Sequence, residues 1–499
     1  MGRNQRECVG MMSRIEYAET GKPRATGEPN CVKLLLRFAA FRKWSIVALL
    51  SVCVAAIAQS TPTLGMPADS EAMATRVRAE YLHAWQGYHT YAWGHDALMP
   101  LSKKSHDWYG VSLHMSQIDG LDTMLLMGLD KEAAETQQDI DKHLSFDQDI
   151  YVKNFEITIR CLGGLLSEYE ATNDPQLLKL ATDLGRRLLP AFHSPTGMPY
   201  EFVNLRTGKV RGAVTNPAEV ALLPEFGTLS KLTGDPVYYD AAKRAMTELW
   251  KRRSSLDLVG LGINVETGDW TDSTATISGG IDSFDEYLLK SWLLFGDRDC
   301  LEMWQKSIVA INNYLAEQTR LGLWYGQADM RTGARKSHEY GALDAFFPAV
   351  LALSGDLPRA ESLQRSSFQM WTLYGIEPDT LDYIRLSTPD AGYPLRPEII
   401  ESTYYLHHLT GDPLYLHMGQ DYFDSLVRWC RTPEAYAALT DVRSKQQKDE
   451  MESFFFAETL KYLYLLYAPR DTVEWSRFVF NTEAHPLKRF TTDSAAHPQ

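Results

Sequence analysis

The segment Leu232-Thr-Gly-Asp-Pro236 ends one apolar, helix-patterned stretch and begins the next. Glycine tolerates the left-handed conformation that closes many helices, aspartate caps the following helix, and proline suits its first turn. The same punctuation recurs at Met127-Gly-Leu-Asp130, Ala171-Thr-Asn-Asp174, Leu294-Phe-Gly-Asp297, Leu353-Ser-Gly-Asp356 and Leu409-Thr-Gly-Asp412. The sequence therefore predicts six helical hairpins.

These units are spaced regularly and predict a closed, all-α toroid. Successive capping aspartates lie 44 to 62 residues apart, about the length of two helices and a connection. Equal units of this kind form either an open solenoid or a closed ring. Residues 453–467 are apolar nearly all round, which does not suit the polar end of a solenoid. We therefore expect a seventh pair to join the two ends of the chain.

The first 58 residues have the pattern of a leader and signal peptide. Basic residues precede an uncharged apolar run from Trp44 to Ala58, which ends in a small-x-small cleavage pattern. The run is shorter than the roughly 20 residues of a membrane-spanning helix, so a cleaved signal peptide is favoured over an uncleaved anchor. We expect a secreted or periplasmic protein without stable membrane insertion. The expected division is leader 1–58, linker 59–78, helical domain 79–488 and tail 489–499.

Charge and cysteine content argue against several classes of protein. The formal net charge is −14, and the first 60 residues hold nine Lys or Arg against four Asp or Glu, so the remainder is still more acidic. Nucleic-acid binding is not expected, because proteins that follow phosphates need clustered positive charge. Only Cys161, Cys300 and Cys430 follow the leader, which argues against a disulfide scaffold. We expect a monomer.

Two apolar segments carry acids where a packed core would not want them. Glu156 and Arg160 lie one helical turn apart, a spacing that suits a simple ion pair. A partly buried Glu156 could equally have a raised pKa and act as a general acid. Asp282 follows two glycines at a predicted helix start, where it would cap the helix. A helix start that points into the centre of the ring would also place Asp282 among the other acids.

The segment Leu395-Arg-Pro-Glu-Ile-Ile-Glu401 places two more acids at a helix start. Pro397 suits the first helical position, so Glu398 and Glu401 fall in the opening turn, where acids commonly serve only as partners of the helix dipole. The dipole explains less well why Arg396 and both glutamates together interrupt a strongly apolar run.

Glu458 lies in the most hydrophobic helix of the chain, one turn after Phe454. A buried salt bridge between Glu458 and Lys461 is one explanation. Alternatively, the acid and the ring would bind a sugar, whose C–H groups stack on aromatic rings while its hydroxyls need acceptors. The segment Asn481-Thr-Glu-Ala-His485 fits no zinc motif and is predicted to be a loop.

Several of these segments together resemble the signature sequences of glycoside hydrolase family 47, the class I α-1,2-mannosidases. The resemblance runs from about Tyr81 to Leu487. It rests on Tyr91-Ala-Trp-Gly94, Asp119-Gly-Leu-Asp-Thr123, Phe155-Glu-Ile-Thr-Ile-Arg160, Asp282-Ser-Phe-Asp-Glu-Tyr-Leu-Leu-Lys290, residues 395–401 and 453–462, and Thr482-Glu-Ala-His-Pro486. Residues 250–255 and 398–406 are most similar to the ER degradation-enhancing mannosidase-like branch.

The resemblance implies an (α/α)7 barrel and a calcium-dependent, inverting α-1,2-mannosidase acting on high-mannose N-glycans, free or on glycoproteins. Glu156 or Asp282 would protonate the glycosidic oxygen and Glu398 would activate the attacking water, with the acid and the base roughly 6.5 to 9.5 Å apart. Thr482 would be the direct protein ligand of Ca²⁺, an ion that prefers oxygen donors. The positions implied to line the mannose pocket or hold waters are Arg160, Glu225, Glu286, Arg396, Glu401, Phe454, Glu458 and Glu483.

Three features depart from the family pattern. Ala97 stands where an acid is usual, Ala342 where many active members carry a pocket histidine, and residues 216–219 are one residue short. The degradation-enhancing branch shares the loss of that histidine. The alternative function is therefore a mannose-glycan-binding protein of quality-control type with little or no turnover. A different (α/α)-barrel hydrolase or epimerase, which would not need a metal at Thr482, is a third possibility.

Overall fold

The computed structural model describes residues 70–491. The predicted signal peptide and residues 492–499 lie outside this range. The first described helix, α1 (Ser70–Tyr91), begins inside the segment expected to be a linker, because Met73 and Val77 pack into the core. The folded domain therefore starts before residue 79. Within the described range, no helix is both long and apolar enough to cross a membrane.

The helices form two concentric rings. The inner ring contains α2 (Met115–Met127), α4 (Asn154–Ile157) continuing into α5 (Gly163–Thr172), the short α7 (Pro217–Val220) followed by α8 (Leu223–Thr233), α10 (Asp282–Phe295), α12 (Phe347–Leu353), α14 (Glu398–Thr410) and α16 (Leu460–Tyr467). The outer ring contains α1, α3 (Asp130–His143), α6 (Pro175–Leu188), α9 (Pro236–Lys251), α11 (Arg298–Tyr314), α13 (Leu357–Tyr374) and α15 (Leu414–Trp429). Inner helices are buried on nearly every side, whereas outer helices bury one face.

The ring is closed by a pair drawn from the two ends of the described chain. The last inner helix, α16, packs against the first outer helix, α1. The apolar surface of residues 453–467 is buried by this contact. The prediction of an (α/α)7 barrel closed by a seventh pair is confirmed.

The Gly-Asp punctuation marks the turns between inner and outer helices. Left-handed residues that end inner helices are Gly128, Asn173, Gly234, Gly296 and Gly411. Aspartates whose side chains cap the next helix are Asp174, Asp235, Asp297 and Asp356. Asp130 differs, because it is the first residue of α3 and Leu129 holds the cap position.

Short antiparallel strands occupy most of the remaining connections. The strands are β1 (Ala97–Met99), β2 (Lys104–His106), β3 (Tyr151–Lys153), β4 (Phe202–Asn204), β5 (Val210–Arg211), β6 (Val214–Thr215), β7 (Gly262–Asn264), β8 (Trp270–Asp272), β9 (Thr274–Ala275), β10 (Ala316–Thr319), β11 (Gly322–Tyr325), β12 (Gln327–Asp329), β13 (Arg335–Ser337), β14 (Glu339–Gly341), β15 (Thr380–Asp382), β16 (Ser387–Asp390), β17 (Ala438–Asp441), β18 (Gln446–Lys448), β19 (Phe478–Phe480) and β20 (Pro486–Lys488). They pair as β1-β2, β3-β4-β5, β6-β7-β8, β9-β12-β13, β10-β11, β14-β15-β16, β17-β18 and β19-β20.

Two ends of the barrel are distinguished by these strands. All strands up to β18 lie in connections that lead from an outer helix to the next inner helix, so they gather where the inner helices begin. The β19-β20 hairpin follows α16 and contacts α5 and α10 from the end where the inner helices stop. The first turns of the inner helices therefore lie at one end of the barrel, and the β19-β20 hairpin enters from the other end.

Candidate active site

Three predicted catalytic acids lie at the starts of inner helices. Asp282 and Glu398 are the first residues of α10 and α14, and Glu156 lies in α4. The amino ends of helices carry a partial positive charge that stabilises nearby carboxylates. Asp282 Oδ1 accepts the Ser283 N–H at 2.7 Å, but Ile281 holds the cap position of α10 and no side chain caps this helix. The expectation that Asp282 caps the helix is therefore wrong, whereas its side chain does line the pocket.

A cavity of about 280 Å³ lies on the barrel axis. Its size is near the lower end of ordinary small-ligand pockets. The predicted residues that line it are Glu156, Arg160, Asp282, Glu286, Arg396, Glu398, Glu401, Phe454, Glu458, Thr482 and Glu483. Eleven of the twelve residues named from the sequence are therefore brought together, and the exception is Glu225.

Two π-helical turns, Thr158–Leu162 and Phe455–Thr459, interrupt the inner helices beside the cavity. Such insertions change which face of a helix a side chain occupies, and they are frequent at functional sites. One of these turns contains Arg160 and the other contains Glu458. The π geometry was not predicted from the sequence, because apolar periodicity does not distinguish one added residue in a turn.

Arg160 connects several parts of the pocket. Its guanidinium pairs with Glu156 at 3.0 Å, which is the ion pair that the spacing predicted, and also with Glu483 on the β19-β20 turn. The same group lies 5.2 Å from the Trp108 ring centre and 5.7 Å from that of Phe454. Asp119 Oδ2 lies 3.8 Å away as a third carboxylate, so Arg160 is fixed among three carboxylates and two aromatic rings.

The β19-β20 turn brings Thr482 to the cavity. The Thr482 N–H donates to Tyr287 Oη at 3.0 Å, and Tyr287 donates in turn to Glu225 Oε1 at 2.5 Å. Asn481 Nδ2 donates to the same Glu225 oxygen at 2.9 Å. Glu225 was expected to line the mannose pocket or hold waters. It lies behind the turn, where Tyr287 and Asn481 both donate to its carboxylate.

The buried salt bridge considered between Glu458 and Lys461 does not form within residues 70–491. Lys461 instead pairs with Asp122 on α2 at 2.7 Å. The π turn that ends at Thr459 separates the directions of the two side chains, so Glu458 lines the cavity. Desolvation, reinforced by Glu483 and Glu398, raises the pKa of Glu458 well above its ordinary value.

The other pocket acids are also harder to ionise than free carboxyls. Desolvation raises the pKa of Asp282 and of Glu398 to about 7. It raises the pKa of Glu401 to about 8, although Lys290 opposes the effect, and that of Glu483 to about 8, although Arg160 opposes it. The pocket thus holds more carboxylate than its basic residues can neutralise, and it would favour a bound cation.

The oxygen donors at the Thr482 end of the cavity fit a hard cation held largely through water. No group of three or more His, Cys, Asp or Glu suited to a metal ion occurs within the described range. Thr482, which carries a hydroxyl and a carbonyl oxygen, lines the cavity together with the carboxyl groups of Glu401 and Glu458. Calcium accepts such mixed oxygen shells, including several waters.

One wall of the cavity was missed by the sequence analysis. It includes Asn216, Glu219, Leu343 and Phe346. Asn216 caps α7 through the Glu219 N–H at 3.0 Å, so the Asn-x-x-Glu capping pattern could have identified this helix start. Ala342 is fully buried and does not line the cavity, which Leu343 reaches instead.

Acids gathered around an axial cavity in a barrel of paired helices define the class of carbohydrate-active (α/α)-barrel enzymes. The chain belongs to glycosyl hydrolase family 47, whose sequence profile matches residues 80–489. The chain is therefore a glycoside hydrolase, and the family predicted from its motifs is confirmed.

Similar proteins agree with this placement. Alpha-mannosidase I MNS5 of Arabidopsis thaliana is 38% identical over 448 residues, covering 83% of this chain and 77% of the relative. The ER degradation-enhancing alpha-mannosidase-like protein 2 of Mus musculus is 37% identical over 449 residues, with coverages of 83% and 77%. The solved alpha-1,2-mannosidase from Trichoderma reesei superposes with a TM-score of 0.78 at 28% identity, covering 85% of this chain and 100% of that chain.

Proposed function

We propose that the protein is an exported, calcium-dependent, inverting α-1,2-mannosidase that trims high-mannose N-glycans. The observation that carries the proposal is the presence of Asp282 and Glu398 in one cavity, each with a pKa raised by desolvation to about 7. A hydrolase working near neutral pH needs one carboxyl that keeps its proton and one that has released it. This pair can supply both.

Asp282 is the better supported proton donor. Besides desolvation, the negative charges of Glu286 and Glu398 favour its protonated form. Glu156, the other sequence candidate, is engaged by Arg160 at 3.0 Å. In the proposed mechanism Asp282 protonates the glycosidic oxygen, and Glu156 keeps Arg160 oriented towards the sugar.

Glu398 is proposed as the general base. Arg396 lies 3.9 Å away and opposes the effect of desolvation, so it favours the carboxylate. In the part of the chain that the structure describes, Glu398 Oε2 is buried and has no hydrogen-bond partner, so its capacity to accept a hydrogen bond is unused. A water deprotonated there would attack the anomeric carbon opposite the leaving oxygen, which inverts its configuration.

Thr482 and waters oriented by the surrounding carboxylates would hold Ca²⁺. The bound ion would coordinate sugar hydroxyls and neutralise the excess negative charge of the pocket. Phe454 would offer a ring face to the C–H side of mannose, while Glu401 and Glu458 would accept hydrogen bonds from its hydroxyl groups. Export rests on the signal-peptide pattern, which lies outside the described residues.

A glycan-binding protein of quality-control type, with little turnover, is the second candidate. It is favoured by the 37% identity to an ER degradation-enhancing mannosidase-like protein and by Ala342. The filled acid and base positions favour the enzyme over this alternative.

The test is to incubate the full chain with a high-mannose N-glycan in calcium and, separately, in chelator, and to measure released mannose by mass spectrometry. Release in calcium alone is expected, and Glu398→Gln is the inactive control. No release in either tube would contradict hydrolysis and leave glycan binding. Equal release in both tubes would contradict the need for calcium.

A further inference from the structure

Asp122 on α2 lies behind the Thr482 turn and binds two cations at once. Its Oδ1 is 2.7 Å from Lys461 Nζ, and its Oδ2 is 2.8 Å from His485 Nδ1. Ser167 Oγ donates to Oδ2 at 3.0 Å. The Lys461 and His485 side chains are fully buried and that of Asp122 is 3% exposed. None of these four residues lines the cavity.

Both cations reach the turn that carries Thr482. Lys461 Nζ donates to the Ala484 carbonyl at 2.7 Å. The His485 N–H donates to Asn481 Oδ1 at 2.8 Å, so the two ends of the turn are tied together. Ala484 has a φ of 59°, a left-handed conformation that residues other than glycine keep only when their surroundings hold it.

The turn has a closely fitted seat on α5. A Cβ atom on Gly163 would lie 2.6 Å from Asn481 Nδ2, and one on Gly164 would lie 3.2 Å from His485 Cε1. Only glycine at these positions lets the turn approach the helix so closely. The ion pair with Asp122 at Nδ1 is therefore accompanied by a steric fit of the turn against α5, while His485 Nε2 lies 3.3 Å from Asp119 Oδ1.

Burying the charged side chains of Asp122, Lys461 and His485 costs free energy, and apolar side chains could stabilise the barrel equally well. Despite the cost of burial, Lys461 and His485 lower the pKa of Asp122 to about 2, so Asp122 is ionised at any working pH. Buried ion pairs are often no more stabilising than apolar side chains of similar volume. Apolar side chains in their place would no longer hold the Ala484 carbonyl and the His485 ring in fixed orientations on the turn.

We propose that Asp122 is a positioning residue for calcium binding, which holds the 481–485 turn through Lys461 and His485 so that Thr482 faces the cavity. This inference rests on the proposed function, because it takes Thr482 as a calcium ligand. If the turn occupies its binding conformation for only a fraction of the time, the apparent Kd equals the intrinsic Kd divided by that fraction.

The test is calcium titration of the full chain by isothermal calorimetry. Asp122→Asn keeps the shape of the side chain and removes the charge that orders both cations, and calcium binding is expected to weaken at least ~10-fold. Raising calcium to saturation should restore mannose release to near the wild-type level. Folding of the variant is checked by circular dichroism in chelator, because bound calcium would stabilise the folded state and mask a purely structural defect.

Asp297→Asn is the matched control. Asp297 also accepts from a lysine and a hydroxyl group, at Lys243 and Tyr239, but it lies in the outer ring and does not contact the turn. Its substitution should leave the calcium affinity unchanged. If Asp122→Asn folds and binds calcium like the wild type, Asp122 is only a structural ion pair and the inference is wrong.

Ser167→Ala is a second, milder variant that keeps the proposal testable if Asp122→Asn does not fold. It removes one hydrogen bond to Asp122, and a calcium affinity lower by about threefold is expected. Unchanged affinity in this variant would also overturn the inference. If the wild-type chain itself binds no calcium, the proposed function fails first, which distinguishes the two failures.

Discussion

The guanidinium of Arg396 lies 3.9 Å from the carboxylate of Glu398. The same guanidinium donates to Asp379 at 3.1 Å. These two neighbours act on Glu398 in opposite directions: Arg396 lowers its pKa, and Asp379 raises it. The ionisation of the proposed base is therefore set by a charged pair beside it as well as by desolvation.

Substitutions in this pair should shift the acid limb of the pH profile in opposite directions. The base acts when ionised, so activity is lost as the pH falls through the pKa of Glu398. Arg396→Met should raise that pKa and move the acid limb to higher pH, whereas Asp379→Asn should move it to lower pH. The measurement is kcat/KM on α-1,2-mannobiose from pH 4 to 9, and shifts in the same direction would argue against Glu398 as the base.

Asp282→Asn should slow hydrolysis of α-1,2-mannobiose by roughly 10²- to 10⁴-fold, the usual contribution of a general acid. The same variant should lose far less activity on α-mannosyl fluoride, because fluoride leaves without needing a proton. Glu156→Gln is the matched comparison and should slow both substrates to a similar extent. If Glu156→Gln rather than Asp282→Asn shows the selective loss, the assignment of the proton donor is reversed.

The product released first should be β-mannose. Inversion at the anomeric carbon of an α-mannoside gives the β anomer, which then equilibrates slowly with the α anomer. Proton NMR spectra recorded in the first minutes of hydrolysis distinguish the two. Initial α-mannose would instead indicate a retaining mechanism and a different role for Glu398.

Buried Glu168 on α5 should make the free energy of unfolding fall as the pH rises. It is fully buried, and neither carboxylate oxygen has a hydrogen-bond partner among residues 70–491. Burial, reinforced by Asp122 and Asp119, raises its pKa well above the ordinary value. The folded chain therefore keeps this proton, and stability is lost as pH rises above the pKa of an unfolded glutamate, by up to about 1.4 kcal/mol per unit.

Glu168→Gln, which cannot ionise, should accordingly raise the free energy of unfolding at pH 7 to 8 and change it little at pH 4. Urea unfolding at each pH measures the difference, with calcium held constant. The exposed Glu302→Gln serves as the control and should give no such trend. A gain that is equal at all pH values would mean that the effect comes from packing rather than from ionisation.

The helix pairs could be predicted from the sequence because their signals are local. At Asp235 the cap and the proline lie next to each other, and the N–H of Val237 completes the cap at 3.1 Å. Asp130 shows the limit of such signals, since the related segment Met127-Gly-Leu-Asp130 places its aspartate inside the helix without a cap bond. Local punctuation thus locates turns reliably but fixes their exact residues less well.

The short β-hairpins also have a local sequence pattern, which the prediction of helices did not include. Asn204, Asn264 and Asp329 each accept a backbone N–H from a glycine four residues later, at Gly208, Gly268 and Gly333. The repeated pattern is Asn-x-x-x-Gly or Asp-x-x-x-Gly between outer and inner helices. Asn, Asp and Gly favour tight turns, so this pattern predicts short hairpins at these three places.

The pocket itself could not be assembled from the residues alone. Asp122 and His485 are separated by 363 positions in the chain, and their contact depends on closure of the whole ring. The resemblance to a family identified which residues belong to the pocket. It assigned Glu225 either to the lining or to holding waters, and the structure shows Glu225 outside the lining, bonded to Tyr287 and Asn481. Ion pairs such as Lys461 with Asp122 have no spacing rule that a sequence could show.

The contact between α1 and α16 joins the two ends of the described chain, so the ring can close only after both helices have been synthesised. Six hairpins can form as they leave the ribosome, but the ring lacks its last inner helix until Leu460–Tyr467 has been made. The turn that carries Thr482 follows still later in the chain. A nascent polypeptide that stops short of this turn has neither the closed ring nor Thr482, so the capacity to cleave glycans would arise only after residue 485 has been added.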